Sequence, residues 1–274
     1  MRSILITGCS SGIGKCCAEE LQREGWDVHA TVRNPEDIEA LSNLSVHAYH
    51  LDYSDTETIH STFDAVMQKT NNKLDALFNN GAYGQPGAVE DISTDVLRAQ
   101  FEANFFGWHE LTNLCVPVMR NQGHGRIVHC SSILGWVPSP WRGAYNASKF
   151  ALEGLASTMR LELTGTNIHV SLIEPGPIRT RFLANGLEKF LQNIDRENSA
   201  NHKVYEKELK RLNSAGGVNR FRLEPISVYR KLDHALNAKS PKAHYPVTVP
   251  THVSGFLRRV LPTKVFDKII LKGS

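Results

Sequence analysis

The fold is decided by the stretch Ile4-Leu5-Ile6-Thr7-Gly8-Cys9-Ser10-Ser11-Gly12-Ile13-Gly14, near the start of the 274-residue chain. Its first three residues form a short apolar run, which is typical of a strand buried on both faces. A helical pattern then continues to about Leu21. A strand, a glycine-rich turn and a helix can hold a dinucleotide, because backbone N–H groups approach its pyrophosphate and the helix N-terminus favours an anion. The other interpretation is an ordinary glycine-rich turn.

Six further strand patterns follow along the chain, and helical patterns separate most of them. The strands are predicted at residues 27–33, 46–52, 74–80, 126–132, 167–174 and 244–249. The main helices are predicted at residues 55–69, 95–119, 142–163 and 226–237. This alternation predicts an α/β fold, a single Rossmann-like domain with a doubly wound parallel sheet of about seven strands flanked by helices. Ligands bind such sheets at the carboxyl ends of the strands.

The second predicted strand ends at Arg33, where an NAD-binding fold usually carries an acidic residue for the ribose 2′-hydroxyl. The forked donors of an arginine suit a 2′-phosphate instead. Together with Ser11 in the glycine turn, Arg33 indicates NADP(H); the less favoured alternative is a solvated arginine at a strand end. Asp52, which closes the third predicted strand, is expected to contact the adenine side of the cofactor or to cap the next helix.

A tyrosine and a lysine stand four residues apart in Tyr145-Asn146-Ala147-Ser148-Lys149, so both side chains leave one face of the predicted helix. The phenol of tyrosine has an ordinary pKa of about 10, and a nearby ammonium lowers that pKa because it favours the phenolate. We therefore expect Lys149 to lower the pKa of Tyr145, which could then exchange a proton with an alcohol oxygen. Taken alone, the pair also fits a half-buried aromatic residue beside a solvated lysine.

Asn104 lies within the long predicted helix, among the aromatic residues Phe101, Phe105 and Phe106. An asparagine inside a helix is unfavourable unless its amide is paired. We therefore expect a specific role for Asn104, and the alternative is an asparagine on a solvated face of the helix.

The composition is that of an ordinary globular protein, with 41% hydrophobic and 22% charged residues. The net charge of +3 is small and no basic stripe is visible, so we expect no nucleic-acid partner. The five cysteines form no CxxC pair and no cluster with zinc spacing, which predicts reduced thiols in a cytoplasmic protein and no metal site. Neither a signal peptide nor a transmembrane segment is expected, because the first strand begins close to Met1 and no apolar run approaches roughly 18 residues.

The regular alternation stops between Thr180 and Leu223, a polar segment with Gly216-Gly217 near its end. Long insertions on a rigid scaffold are often lids, so residues 180–223 are predicted to close over the substrate and exclude water. A plain surface excursion is the alternative. Residues 251–274 form a C-terminal extension of mixed apolar and basic residues. We expect this extension to pack on the domain or on a second subunit, with a membrane surface as the alternative.

Taken together, the motifs resemble those of the classical short-chain dehydrogenases/reductases. These motifs are Thr7-Gly8-xxx-Gly12-Ile13-Gly14, Asn79-Asn80, Asn104, Ser132 and Tyr145-xxx-Lys149, and they follow the family's order over essentially the whole chain. Three features are most similar to a bacterial branch of NADP-dependent aldehyde reductases: Cys9-Ser10-Ser11, Arg33 and the run from Ser171 to Thr180. That branch is related to retinol and 17β-hydroxysteroid dehydrogenases.

The resemblance implies a role for each matching residue. Tyr145 would exchange the proton with the substrate oxygen, Ser132 would hydrogen-bond that oxygen, and Lys149 would lower the pKa of Tyr145 and hold the nicotinamide ribose. Asn104 would hold a water that links Lys149 to solvent. The expected cofactor-binding residues are Gly8, Ser10, Ser11, Gly12, Ile13, Gly14, Arg33, Asp52, Asn80, Gly81, Tyr145, Lys149, Pro175, Gly176 and Thr180. The family also implies a homodimer or homotetramer.

One position departs from the family pattern. The family has Asn-Asn-Ala-Gly after the fourth strand, whereas this chain has Asn79-Asn80-Gly81-Ala82. The exchange places a methyl group where the family has none and a flexible glycine where the family has alanine. We expect the backbone near the cofactor to shift, with the fold unchanged.

The sequence therefore predicts an NADP(H)-dependent oxidoreductase that reduces an apolar aldehyde or ketone by hydride transfer, with Tyr145 as the acid/base. Several aromatic and apolar residues are predicted to line the substrate mouth, or else to belong to the core: Trp136, Trp141, Tyr83, Phe182 and Leu183. Two alternative functions stay open. One is a retinol or hydroxysteroid dehydrogenase that works oxidatively, and the other is a non-catalytic protein that binds and senses NADP(H).

Overall fold

Seven strands form one sheet in the part of the chain that the structure, a computed structural model, describes: residues 1–213 and 221–273. The strands are β1 (Ser3–Ile6), β2 (Asp27–Val32), β3 (His47–His50), β4 (Ala76–Asn79), β5 (Gly125–Cys130), β6 (Ile168–Glu174) and β7 (His244–Pro246). Their order across the sheet is β3-β2-β1-β4-β5-β6-β7, and every neighbouring pair is parallel. The predicted doubly wound parallel sheet is confirmed.

Helices connect these strands and cover the sheet. In the described residues they are α1 (Gly12–Arg23), α2 (Ile38–Ser42), α3 (Thr56–Lys69), α4 (Thr94–Phe101), α5 (Gly107–Gln122), α6 (Gly143–Glu162), α7 (Phe182–Asn193), α8 (His202–Asn213), α9 (Ile226–Asn237), α10 (Val249–Val260) and α11 (Thr263–Gly273). Helix α1 packs against α9, and α3 packs against α5. Because helices cover the sheet, the apolar run Ile4, Leu5 and Ile6 is fully buried, as the sequence predicts.

The strand order reverses between β1 and β4: β2 and β3 are added on one side of β1, and β4 to β7 are added on the other. Strand β1 lies between β2 and β4, so Ile6 is paired with Ala30 on one side and with Phe78 on the other. The loops that follow β1 and β4 therefore diverge and open a crevice at the carboxyl edge of the sheet. The glycine turn and Asn80 both come directly after these strands.

Each strand after β1 is shorter than the sequence predicts, most of all β3, β4 and β7. Strand β3 ends at His50, before Asp52, and β7 ends at Pro246, before Val249. Thr248 is the N-cap of α10, which has a proline in its first turn. The first turn of a helix tolerates proline, because the missing N–H would have no intrahelical partner there. The predicted extension of the seventh strand to Val249 is therefore wrong, since this segment starts a helix.

The long helix predicted at residues 95–119 changes its geometry near the middle. Helix α4 passes into a π-helical turn, Glu102–Phe106, and then into α5. A Cβ at Gly107 would lie 2.6 Å from the side chain of Tyr53, so glycine allows the helix to approach this residue closely. The π turn carries Asn104, and such turns are frequent at functional sites.

The segment predicted as a lid, residues 180–223, contains the two regular helices α7 and α8. Phe190 and Tyr205 pack with a ring distance of 5.1 Å, and they form a second small core with Ala88 and Ile194. This second core fastens the segment to the loop that follows β4. Gly216-Gly217 lie outside the described residues. Opening and closing of the segment stays a prediction.

The C-terminal extension folds into α10 and α11. Part of it packs on the domain, since Thr251 and Gly255 of α10 and Phe266 of α11 are buried. Among the described residues, no helix combines the length and the apolar character that a membrane span requires.

Candidate active site

The glycine turn has a backbone that only glycine adopts readily. Gly8 and Gly12 have φ angles of +68° and +59°, in the left-handed region. A Cβ at Gly14 would overlap the carbonyl oxygen of Gly8 and lie 2.7 Å from Nδ2 of Asn80. Helix α1 begins at Gly12, and its N-cap, Ser11, makes no capping hydrogen bond with its side chain. The N–H groups of the first turn are therefore available to an anionic ligand, which fits a pyrophosphate.

Asn80 joins the carboxyl ends of β1 and β4. Its Nδ2 donates hydrogen bonds to the carbonyl oxygens of Thr7, at 3.0 Å, and of Gly8, at 3.3 Å. The Thr7 hydroxyl in turn accepts from the backbone N–H groups of Asn80, at 2.9 Å, and Gly81, at 3.2 Å. Asn80 thus holds the shape of the glycine turn. Its contact with the cofactor stays a prediction.

The departure at Gly81-Ala82 is accommodated by close backbone packing. A Cβ at Gly8 would lie only 2.7 Å from the Cα of Gly81, so the two glycines pack against each other. A side chain at Gly81 would also meet the ring of Tyr53 at 3.3 Å. Ala82 is half-buried and packs against the main core. The glycine therefore occupies the tighter of the two positions, and the fold is unchanged, as expected.

Arg33 follows β2 directly and is exposed at the edge of the crevice. Burial raises the pKa of Tyr83. The charge of Arg33 lowers this pKa and the charge of Asp52 raises it, so both charges act on Tyr83. Asp52 accepts a hydrogen bond from the Ser54 N–H at 2.9 Å. It does not cap α3, because Asp55 is the N-cap there and accepts from the Glu57 N–H at 3.0 Å. The capping alternative for Asp52 is therefore wrong.

Tyr145, Lys149 and Ser132 come together as the sequence predicts. Tyr145 and Lys149 lie one turn apart near the start of α6, and both are buried. Ser132 follows β5, caps a short 3₁₀ turn by accepting from the Leu134 N–H at 3.1 Å, and hydrogen-bonds with Tyr145. The phenol and the hydroxyl therefore converge on one point at the carboxyl edge of the sheet.

The pKa of Tyr145 differs from the expectation. Burial raises this pKa above its ordinary value, and the hydrogen bond with Ser132 opposes the rise without reversing it. Burial also lowers the pKa of Lys149 to about 8. The Lys149 ammonium lies 5.8 Å from the centre of the Tyr145 ring, so it is not in direct contact with the phenol ring. Burial therefore gives a net rise, against the expected direction, and an effect of Lys149 that lowers the pKa of Tyr145 stays a prediction.

Lys149 is held by two groups that the sequence analysis did not identify. Its Nζ donates a 2.8 Å hydrogen bond to the carbonyl oxygen of Cys130 and lies 4.1 Å from the centre of the Trp108 ring. A cation above the face of an indole is attracted by the ring quadrupole. The Trp108 ring stacks near the ring of His129. Burial and the charge of Lys149 lower the pKa of His129 to about 3. Nothing in the local sequence marks Trp108, because it reaches Lys149 from a different helix.

Asn104 is fully buried, and its amide is paired on both sides. Its Nδ2 donates to the carbonyl oxygen of Tyr83 at 2.9 Å, and its Oδ1 accepts from the Tyr83 N–H at 3.3 Å. Nδ2 also donates to the hydroxyl of Ser148 at 3.3 Å, which donates to the carbonyl oxygen of Tyr145 at 2.9 Å. The alternative of a solvated asparagine is therefore wrong, and the water-holding role of Asn104 stays a prediction.

The loop after β6 closes the other side of the crevice. The carbonyl oxygen of Pro175 accepts from the Ile133 N–H at 2.9 Å, which joins this loop to the turn that Ser132 caps. A Cβ at Gly176 would overlap the Thr248 hydroxyl, so this position also requires glycine. Thr180 lies against the glycine turn, since a Cβ at Gly12 would lie 3.0 Å from its methyl group. The loops after β1, β4, β5 and β6 therefore border one crevice.

An open cavity of about 500 Å³ adjoins the glycine turn. Gly12 and Thr180 line it, and its cationic residues Lys15, Arg179 and Arg181 face the acidic Glu19 and Glu224. Arg179 is paired with Glu224 at 2.8 Å. Lys15 and Arg181 are consistent with an anionic ligand at the N-terminus of α1.

The predicted substrate residues lie in different places. Phe182 packs on Tyr145 with a ring distance of 5.3 Å, and a Cβ at Gly84 would lie 2.8 Å from its ring. Trp136 lies beside His244 and against Gly255 of α10. Trp141 packs on Tyr205 of α8, in the second core. Phe182 is thus the aromatic residue that the structure places on Tyr145, and the role of the two tryptophans in substrate binding stays a prediction.

A buried carboxyl group, a half-buried one and a histidine meet one helical turn beyond Lys149. Nδ1 of His244 lies 2.7 Å from Oε1 of Glu174 and 3.8 Å from Oε2 of Glu153. Burial raises the pKa of Glu174 to about 7 and also raises that of Glu153, while the hydrogen bond with Glu174 raises the pKa of His244. Their possible ligand atoms lie within 4.8 Å of one another, which could suit a metal ion. The absence of a metal site stays a prediction.

The sequence offered one signal for this group, the spacing of four residues between Lys149 and Glu153. Glu174 and His244 belong to two different strands, β6 and β7, and reach Glu153 only in the folded chain. The charge of Glu153 raises the pKa of Lys149 against the effect of burial. The group therefore acts on the predicted active site through charge.

Comparison with known proteins agrees with this architecture. The model of the short chain dehydrogenase family matches residues 2–189. The uncharacterized oxidoreductase YbbO of Escherichia coli (strain K12) is 41% identical over 269 residues, which cover 98% of this chain and 94% of that protein. Human retinol dehydrogenase 8 is 34% identical over 191 residues, which cover 66% of this chain and 60% of that protein.

Solved structures have the same fold. A short-chain dehydrogenase from Streptomyces avermitilis superposes with a TM-score of 0.76 at 25% identity, over 94% of this chain and 93% of that chain. A short-chain dehydrogenase/reductase from Burkholderia phymatum in complex with NAD gives 0.78 at 20% identity, over 94% and 92%. A variant of actinorhodin polyketide ketoreductase with NADPH gives 0.74 at 23% identity, over 90% and 95%. Since the family match spans more than half of the chain and YbbO is similar over nearly all of it, this chain belongs to the short-chain dehydrogenase/reductase family.

Proposed function

We propose that this oxidoreductase reduces an apolar aldehyde or ketone to the alcohol, with NADP(H) as the hydride carrier. The observation that carries the proposal is the convergence of Tyr145 and Ser132 beside the crevice that the glycine turn borders. The glycine turn fits a dinucleotide, because the N-cap of α1 makes no side-chain hydrogen bond and the first N–H groups of this helix are available to a pyrophosphate. When bound, the nicotinamide would supply the hydride.

The residues of this chain would handle the substrate oxygen. Ser132 would donate a hydrogen bond to the carbonyl oxygen, where negative charge develops during the reaction. Tyr145 would then donate its phenolic proton to that oxygen. The raised pKa of Tyr145 suits a donor, because the phenol keeps its proton at neutral pH. Lys149, Trp108 and the carbonyl oxygen of Cys130 would keep a positive charge beside this site.

The choice of NADP(H) over NAD(H) rests on Arg33. It follows β2 directly, at the place where the 2′ group of the adenosine ribose is read in this fold. Its exposed guanidinium can donate two hydrogen bonds to a 2′-phosphate. Of the solved structures named above, one is in complex with NAD and another holds NADPH, so they do not favour either cofactor for this chain.

The apolar character of the substrate rests on Phe182. Its ring covers Tyr145, so a substrate carbonyl that reaches the phenol must pass beside an aromatic wall from the predicted lid. An apolar substrate would pack against the Phe182 ring when it binds. A retinol or hydroxysteroid dehydrogenase that works oxidatively is the second candidate, and the similarity to retinol dehydrogenase 8 favours it.

The location and the assembly are further parts of the proposal. We propose a cytoplasmic protein, because all five cysteines are free thiols and thiols stay reduced in the cytosol. We also propose a homodimer or homotetramer through α5 and α6. Exposed apolar side chains support this interface, namely Phe106 beside α5 and Leu161 on α6. Light scattering of the purified protein would test the oligomeric state.

The function is tested by the oxidation of NADPH and of NADH with apolar aldehydes, ketones and retinal, with Tyr145→Phe as the control. Turnover that prefers NADPH and that is lost in Tyr145→Phe, while NADPH binding is kept, would support the proposal. Equal turnover in the variant would remove Tyr145 from the reaction. No oxidation of NADPH by the wild-type protein, with tight NADPH binding, would instead favour the oxidative dehydrogenase or the NADP(H)-sensing alternative.

A further inference from the structure

Helix α10 turns its apolar side toward solvent. Val249, Val253, Phe256 and Val260 are 49–64% exposed, and their spacing of four, three and four residues places them on one stripe. The opposite side of the helix carries Thr251 and Gly255, which are buried. A surface helix of a globular protein normally has the reverse arrangement, with its apolar stripe against the core.

Helix α11 adds lysines and further apolar residues. Lys264, Lys268 and Lys272 are spaced by four residues, so they share one side of the helix. Val265, Ile269 and Leu271 flank them and are 42–66% exposed. Phe266 is buried and fastens the helix to the domain. Residues 249–273 thus hold seven of the fifteen exposed large apolar side chains in the described part of the chain.

The same segment carries the positive charge of the protein. Residues 249–273 contain five lysines and arginines and one aspartate, a net charge of +4. The whole chain has a net charge of +3, so the remainder is slightly negative. The positive charge is therefore concentrated where the exposed apolar side chains are.

The segment is attached firmly to the elements of the active site. The guanidinium of Arg258 lies 5.2 Å from the centre of the Phe150 ring, next to Lys149 on α6. Gly255 packs on Trp136, which follows the turn capped by Ser132. The exposed stripe of α10 is therefore presented by a packed helix and not by a loose tail.

We propose that α10 and α11 dock on the surface of a bilayer that contains anionic lipids. The apolar stripe would enter the boundary between headgroups and acyl chains, while the lysines and Arg259 would contact lipid phosphates. No helix of the described residues could span a bilayer, so the protein would lie on its surface. An apolar stripe combined with basic residues is the pattern of interfacial helices.

The distribution of charge selects a lipid surface over a second copy of this chain. A twofold dimer through this face would bring the same face of each copy together, and with it the same lysines and arginines. These like charges would oppose association. An anionic membrane complements both the charge and the apolar stripe.

The test is sedimentation of the purified full-length protein with vesicles. One set contains phosphatidylcholine alone, and the other contains equal amounts of phosphatidylcholine and phosphatidylglycerol. We expect the protein to sediment with the anionic vesicles, at least tenfold more weakly with the neutral ones, and less at high salt. Val253→Glu/Phe256→Glu and, separately, Lys264→Glu/Lys268→Glu should each lower binding at least tenfold. Leu191→Glu on α7 is the matched control, because Leu191 is 47% exposed and Val253 is 49% exposed.

Three results would overturn the proposal. The first is wild-type protein that stays in the supernatant with anionic vesicles. The second is Val253→Glu/Phe256→Glu protein that is folded by circular dichroism and sediments like the wild type. The third is wild-type protein that does not sediment with vesicles, combined with a mass by light scattering that is half as large for the Val253→Glu/Phe256→Glu protein as for the wild type. This result would assign the stripe to a second copy.

Discussion

At the residue scale, the tertiary environment decides how Tyr145 and Lys149 can work. Burial favours the neutral phenol and the neutral amine, although the two side chains share a helical face as the sequence predicts. A neutral phenol suits the proposed role of Tyr145 as proton donor in reduction, whereas removal of its proton in the oxidative direction would need help. Positive charge near the phenol gives such help, and Lys149 supplies this charge below a pH of about 8.

The lowered pKa of Lys149 predicts a pH-dependent stability. The ordinary pKa of lysine is about 10.4, so between pH 8 and about 10 the unfolded chain binds more protons than the folded chain. The wild-type protein should gain stability from this residue as pH rises through that window. Lys149→Met lacks this gain, so its melting temperature should fall relative to the wild type between pH 8 and 10.

The measurement is the melting temperature of both proteins from pH 6.5 to about 10. Lys73→Met, at an exposed position, corrects for the loss of one positive charge. A difference between Lys149→Met and wild type that stays constant over this range would contradict the shifted pKa.

Arg33 carries the prediction about the cofactor. Arg33→Asp should weaken binding of NADPH by about tenfold to a hundredfold, because charge-assisted hydrogen bonds contribute about 1.5–3 kcal/mol each. Binding of NADH, which has no 2′-phosphate, should change little. Dissociation constants measured by quenching of protein fluorescence would check this. Arg33→Lys, which keeps the charge and loses the forked donors, should be intermediate, and an equal loss for both cofactors would exclude Arg33 as the phosphate reader.

At the element scale, close packing of glycines holds the loops of the crevice together. Gly14 lies in the first turn of α1, where alanine has the better intrinsic helix propensity. The structure reverses this preference, because a Cβ would meet Gly8 and Asn80. The approach of Gly8 to Gly81 has the same basis, so β1 and β4 can place their loops side by side only with small residues there.

This packing predicts opposite effects for two glycines within helices. Gly14→Ala should lower the melting temperature and abolish NADPH binding, since the clash disrupts the turn. Gly154→Ala in α6 should stabilise the protein by about 0.5–1 kcal/mol, because a Cβ there meets nothing within 4 Å. Thermal unfolding with and without NADPH would measure both. Equal effects of the two substitutions would show that helix propensity, and not contact with Gly8, governs position 14.

At the scale of the whole molecule, the predicted lid contacts α6 through the rings of Phe182 and Tyr145. Helices α7 and α8 are fastened to the loop after β4 by the second core, and Phe182 at the start of α7 covers Tyr145. Gly84 leaves the space for this ring. The geometry around Tyr145 therefore depends on three distant parts of the chain.

Gly84→Ala should displace Phe182 from Tyr145, because the added methyl group would lie 2.8 Å from its ring. We expect the KM for an apolar aldehyde to rise several-fold. Phe182→Ala removes the ring that clashes, so Gly84→Ala should have little further effect in that background. Steady-state kinetics of the two single variants and the double variant would measure the coupling. Additive effects would mean that Gly84 acts independently of Phe182.

The sequence by itself determined the parallel α/β fold, the position of the glycine turn and the pairing of Tyr145 with Lys149. These features arise from patterns within one element or between neighbouring elements. The apolar run before Gly8 indicates a strand buried on both faces, and the four-residue spacing of the pair defines a helical face. Local periodicity and the alternation of elements were therefore sufficient for most of the fold.

Only the tertiary structure decided the properties that depend on distant parts of the chain. It placed Trp108 beside Lys149, and Phe182 on Tyr145. It also reversed the expected pKa shift of Tyr145. The physical reason is that burial and charge at one residue are set by every element that packs around it, and these elements become neighbours only when the sheet is assembled.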